Sequence, residues 1–227
     1  MDSNKMMQTL DDIGPRKLYT RGEEIFNAVS HGVGTLLSIA ALVVGVVFAA
    51  LYGDAWRVVS AAIYGATLII LYCMSTLYHA ITNPTAKKVF RVFDHCSIFF
   101  LIAGTYTPYT LVTLRGPWGW SLFAVVWAAA ILGTVLNAIS IERFKKFSIV
   151  CYVAMGWVVI LAVNPLLQAL PMPGFWLLIG GGVVYTLGII FYKLKNLRYA
   201  HSIWHLFVLG GSALHFFSIL LYVLPQP

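Results

Sequence analysis

Seven stretches of about 20 apolar residues mark this chain, at 33–52, 55–79, 92–113, 118–139, 147–167, 175–192 and 202–224. An α-helix rises about 1.5 Å per residue, so each stretch is long enough to cross the roughly 30 Å hydrocarbon core of a bilayer. Inside lipid every backbone N–H and C=O must find a partner within the protein, and a helix provides one for each of its own groups. The expected fold is therefore all-α, a polytopic bundle of seven transmembrane helices. Composition agrees: 60% of the 227 residues are hydrophobic and 10% are charged. The joint between the first two stretches is tight, but its Gly53-Asp54 turn chemistry argues for two helices rather than one.

The basic residues orient the bundle, because segments kept in the cytoplasm retain lysine and arginine. Lys5, Arg16, Lys17 and Arg21 precede the first apolar stretch. Lys87, Lys88 and Arg91 lie between the second and third, Arg143, Lys145 and Lys146 between the fourth and fifth, and Lys193, Lys195 and Arg198 between the sixth and seventh. Only Arg57 and Arg115 remain for the other side. This predicts a cytoplasmic N-terminus and an outside C-terminus, with residues 1–30 as a cytoplasmic segment and 31–227 as the seven-helix domain. It also accounts for the net charge of +7 without a nucleic-acid partner. The segment before the first stretch carries both signs of charge and lacks the basic-then-apolar pattern of a cleaved signal, so the first helix is expected to stay in the mature chain. Cys73, Cys96 and Cys151 all fall in apolar runs and read as small packing residues rather than a disulfide framework or a thiolate metal site.

Orientation fixes depth, and at one depth the titratable residues converge. His79 ends the second helix at the cytoplasmic boundary, with Ser75 one turn deeper on the same face. Asp94 starts the third helix at that level, and His201 and His205, one turn apart on one face, start the seventh. Three imidazoles and a carboxylate from three helices form a set that suits zinc, and three protein ligands with an open position is the pattern of a catalytic site. The plainer alternative is that Asp94 pairs with a histidine or with Arg91 at a helix mouth. Asn27, Ser30 and His31, near the start of the first helix, reach the same level. They read either as polar anchors at the interface, with Glu23 and Glu24, or as supports that orient metal ligands. His95 projects about 100° away from Asp94 and is expected to be a neighbour only. His215 lies about 15 Å beyond His205, too far for the same ion, and should hydrogen-bond another helix or line a cavity. Pro108 should kink the third helix, with Thr105 and Thr107 available to satisfy the freed backbone groups. The glycines at 180–182 and 210–211 should let helices approach closely.

Three blocks at these residues resemble the progestin and adipoQ receptor superfamily, in particular its bacterial hemolysin III branch. They are Glu24-Ile-Phe-Asn27-Ala-Val-Ser30-His31-Gly32, then Ser75-Thr-Leu-Tyr78-His79 with Phe93-Asp94-His95 and Gly104-Thr105-Tyr106-Thr107-Pro108, then His201-Ser-Ile-Trp204-His205. The resemblance spans nearly the whole chain. It implies zinc on His79, His201 and His205, with Asp94 holding a zinc-bound water. It also implies an activity of the ceramidase kind, hydrolysis of a lipid amide, and a place in membrane lipid homeostasis in the bacterial inner membrane. In that enzyme Asp94 would take the water proton and Ser75 would assist the oxyanion. Two other functions stay open: a sensor or regulator of membrane state with a structural zinc, and a hemolysin-like pore. A pore fits less well, because polarity is gathered at one end rather than striped along whole helices.

Overall fold

The computed structural model describes residues 19–194 and 196–225; Lys5, Arg16, Lys17 and Lys195 lie outside them, as does most of segment 1–30. Among the described residues eight α-helices build seven spans: α1 (Arg21–Tyr52), α2 (Ala55–Ala80), α3 (Pro84–Pro108), α4 (Pro117–Ile139), α5 (Ile141–Trp157), α6 (Val163–Ala169), α7 (Met172–Lys193) and α8 (Ala200–Tyr222). A π-helical turn, Tyr109–Thr113, prolongs α3, and a 3-10 turn, Val158–Ala162, joins α5 to α6 in one span, Ile141–Ala169. Among the described residues there is no strand. The protein is a multi-pass membrane bundle.

Apart from α6 and α8, each helix starts where a polar side chain or proline can deal with the unpaired N–H groups of a first turn. Thr20 and Glu23 form a reciprocal capping box on α1, Asp54 caps α2, and Asn83 caps α3 just ahead of Pro84. Ser140 ends α4 and caps α5 in a single residue, which makes that turn tight. α1, α3 and α5 begin at 21, 84 and 141, ahead of their apolar runs at 33, 92 and 147. Their first turns extend past the hydrocarbon, where capping rather than apolar pattern holds the helix.

Neighbours in sequence pack as neighbours in space, α1 on α2, α2 on α3, α3 on α4 and α7 on α8, and α8 closes back onto α1 and α2. That closure has a specific device. Tyr199, just before α8, holds a left-handed backbone with φ 59°, a conformation that costs a non-glycine residue about 1 kcal/mol. Its N–H donates to Glu23 Oε1 (2.8 Å), and its ring packs against Phe26. The start of α1 thus sets where α8 begins, two residues before His201.

The lipid-facing surface is apolar, with Leu36, Leu51, Ile139 and Leu161 exposed, and polar side chains are turned inward. Most inward hydroxyls return a hydrogen bond to their own helix. Thr105 donates to the Leu101 carbonyl (2.8 Å) and Thr107 to that of Ala103 (2.9 Å), so neither takes up the Gly104 carbonyl that Pro108 cannot bond. Beyond Pro108 the chain widens into the π turn instead of stopping. The glycines expected to bring α7 and α8 together do so at Gly181, against the His215 ring, and at Gly211, against the Tyr185 ring.

Candidate metal centre and its cavity

At the basic end of the bundle, His79 from α2 and His201 and His205 from α8 place one ring nitrogen each within 4.8 Å of one another. Hydrogen bonds on the far side of two rings decide which nitrogens face inward. Glu24 Oε2 lies 2.6 Å from His79 Nδ1, and a carboxylate accepts, so Nδ1 carries the proton. His79 Nε2 is left buried with no partner. Ser30 Oγ donates to the Asn27 carbonyl (3.1 Å) and lies 3.4 Å from His205 Nδ1. Its oxygen can therefore accept from that nitrogen, which turns the lone pair to His205 Nε2. His201 Nε2 faces His205 Nε2 at 3.1 Å. Two nitrogens bound to one tetrahedral zinc stand about 3.3 Å apart. An orphaned Nε2 beside two that point at each other fits a cation better than it fits a hydrogen-bonded histidine network, and the three residues could hold a metal ion. None of the three free cysteines, Cys73, Cys96 and Cys151, is part of the cluster.

The surrounding residues tie the rings in place. Lys87 Nζ pairs with Glu24 Oε1 (2.9 Å) and donates to the Tyr78 carbonyl (2.9 Å), so Glu24 is fixed between a lysine and His79. Asn27 Oδ1 accepts from Ser202 Oγ (2.6 Å), next in sequence to His201. His31 stacks on His205 (ring centroids 3.6 Å apart), and both its nitrogens are unpartnered. Tyr19 stacks on His201 (4.8 Å) and meets His79 edge-on (5.6 Å), covering the cluster from the basic end. Burial raises the pKa of its hydroxyl, which stays protonated.

Beneath the cluster a cavity of about 150 Å³ runs into the bundle, lined by His31, Ser75, Asp94, His95, His201 and His205 at one end and by His215 at the other. Most of the wall between is apolar, including Ile98, Leu101, Val153, Ile179 and Val208. Asp94 Oδ2 lies 3.2 Å from His95 Nδ1. His95 is thus Asp94's partner and stays outside the metal cluster. Where the fifth and sixth spans face each other, Trp157 Nε1 donates to Thr186 Oγ1 (3.0 Å) across the cavity wall.

Sequence reasoning placed the three histidines, Asp94 and Ser75 at one level, and the structure gathers them around one cluster and its cavity. It set Glu24 close to the Asn27–His31 face but read it as an interface anchor, and gave Tyr19 and Lys87 no part in the site. Helical spacing puts Glu24 on one face with Asn27 and His31, but nothing in it points to His79.

A model of the family described as "Haemolysin-III related" matches residues 19–216. The chain belongs to the haemolysin-III-related family. It is 49% identical over 203 residues to "Hemolysin-3" of Bacillus cereus, covering 89% of this chain and 93% of that protein. It is 47% identical over 210 residues to the "Hemolysin-3 homolog" of Bacillus subtilis, covering 92% and 99%. A more distant similarity, 29% over 211 residues, covers 90% of the chain and 86% of the human "Monocyte to macrophage differentiation factor". The three sequence blocks and the resemblance they carried thus lie within a family match that holds α1 through most of α8.

Proposed function

We propose that this family member is a zinc-dependent lipid amide hydrolase of the ceramidase kind, acting in membrane lipid homeostasis. The observation that carries the reading is the union of three inward-facing imidazole nitrogens with a membrane-embedded apolar cavity whose wall bears a carboxylate and a hydroxyl. When bound by His79, His201 and His205, zinc supplies a Lewis acid that polarises a carbonyl and makes water acidic enough to deprotonate near neutral pH. The apolar wall holds the acyl chain and keeps bulk water out. Asp94, held by His95, accepts a proton from the attacking water and returns it to the departing amine, so amide and water become acid and amine. Ser75 donates a hydrogen bond to the oxygen that gains charge. Asn27, Ser30 and His31, with Glu24, orient the ligands.

A second reading, a structural zinc in a sensor of membrane state, is favoured by one feature: Glu24 with His79 and Ser30 with His205 tie α1, α2 and α8 together at the level of the cluster. Protein purified without chelator and placed in liposomes with ceramide-type lipids separates the two. Hydrolysis predicts release of free fatty acid that stops on chelation and resumes with zinc. A clamp predicts no release from any N-acyl lipid, with chelation lowering only stability.

The same reading places the protein in the bacterial inner membrane, with residues 1–30 cytoplasmic and 31–227 forming the membrane domain. Of the described basic residues, Arg21, Lys87, Lys88, Arg91, Arg143, Lys145, Lys146, Lys193 and Arg198 lie at the cluster's end, and only Arg57 and Arg115 at the other. A reporter fused after Pro227 is therefore expected to work only if it functions outside the cytoplasm. A reporter active in the cytoplasm there would put the cluster in the opposite leaflet.

A further inference from the structure

The far end of the cavity holds a polar group that the proposed chemistry does not use. His215 is 6% exposed, and its Nε2 lies 3.0 Å from the Leu178 carbonyl. A carbonyl only accepts, so Nε2 carries the proton and Nδ1 of the neutral ring has a bare lone pair; Nδ1 is buried with no partner. The Cδ2–Nε2 edge of the ring is laid on Gly181, where an added Cβ would come within 2.3 Å of it. Nδ1 is therefore on the edge turned away from α7. Tyr109, which lines the same cavity, is also buried, and its hydroxyl makes no hydrogen bond of regular geometry. Its neighbour Ser218 donates to the Gly174 carbonyl (2.8 Å), so toward the Tyr109 hydroxyl it offers only an oxygen lone pair, in a loose contact. An orphaned acceptor at the end of an apolar cavity is costly unless something fills it, and the hydroxyl beside it is held by one weak contact only.

We propose that His215 and Tyr109 form a second polar subsite, which receives a hydroxyl group carried on the acyl chain of the lipid. The ligand hydroxyl donates to His215 Nδ1 and accepts from the Tyr109 hydroxyl. The helical rise places His215 about 15 Å beyond His205, the span of about 12 bonds of an extended carbon chain. The recognised lipid accordingly bears its hydroxyl about a dozen bonds from the carbonyl held at the histidine cluster. This rests on the reading that the cluster takes the carbonyl end of the chain.

Binding to the purified protein in nanodiscs tests it, with dodecanoic acid, its ω-hydroxy derivative and an isomer hydroxylated at mid-chain as probes. A hydroxyl entering an apolar cavity unpaired weakens binding. Wild type is nevertheless expected to bind the ω-hydroxy acid about 10-fold more tightly than dodecanoic acid, and the mid-chain isomer more weakly than either. In His215→Leu the preference should invert, with dodecanoic acid bound as before. If that variant does not fold, Tyr109→Phe, which removes one hydroxyl only, should cut the preference to about 3-fold. Equal binding of the two acids, a preference that survives His215→Leu or is unchanged in Tyr109→Phe, or a gain at mid-chain overturns the subsite, as does binding of neither acid. Hydrolysis of unsubstituted amides with no hydroxyl preference would sink this inference alone, and a hydroxyl preference without hydrolysis would sink the hydrolase reading alone.

Discussion

Replacing His79 by alanine is expected to take the zinc content of the purified protein from about one per chain to near zero, and the double replacement of His201 and His205 should do the same. The expectation follows from the ring environments rather than from residue type. His79 offers a buried Nε2 with no other partner, while Glu24 and Lys87 on its far side hold the ring in place. His95 stands outside the group of three nitrogens, with its Nδ1 2.9 Å from the Arg91 carbonyl and 3.2 Å from Asp94. His95→Ala and His215→Ala should therefore keep the metal. Glu24→Gln keeps the size of the side chain but loses its charge, and should weaken metal affinity by about 10- to 100-fold without abolishing it. Because the ion would join α2 to α8, chelation should also lower thermal stability, by about 3 kcal/mol where free zinc had stood at 100 times its dissociation constant. Metal analysis and thermal unfolding on the same samples read both effects. Metal retained in His79→Ala and lost in His95→Ala would place the ion elsewhere.

The seven spans were legible because lipid leaves a chain little choice: about 20 apolar residues per crossing are needed, and the count can be read without knowing how the helices pack. Depth was legible too, since rise per residue and direction of travel place His79, Asp94 and His201 at one level. Rotation about each helix axis was not. Whether the carboxylate of Glu24 or the ring of His31 faces the histidines depends on how α1 is turned against α2 and α8, and that is set by packing between residues far apart in sequence. The polar first turns of α1, α3 and α5 escaped the apolar pattern for a related reason, because they are stabilised by caps such as Thr20 and Asn83 outside the hydrocarbon. His215 was expected to bond another helix or to line a cavity, and it does both. Its bare Nδ1 could be recognised only once Leu178 was seen to occupy the other nitrogen.

Turnover is where Asp94 should matter most. Asp94→Asn is nearly isosteric and keeps an oxygen for His95 to bond, but an amide is far too weak a base to take a proton from water. The variant should keep most of its zinc and its fold while fatty-acid release from N-acyl lipids falls by about 100-fold or more, the usual contribution of a positioned general base. Ser75→Ala should cost less, about 10-fold, since it removes one neutral donor to the oxyanion and leaves the base in place. The contrast in magnitude distinguishes the readings. In a structural clamp Asp94 would serve only the fold, so Asp94→Asn would lower stability and change no rate. In a hydrolase the loss should fall on kcat rather than on substrate affinity, because the proton moves only as the transition state forms. Release unchanged in a metal-loaded Asp94→Asn protein would remove Asp94 from the chemistry. The carboxylate would then be read as the partner that keeps His95 in the cavity wall.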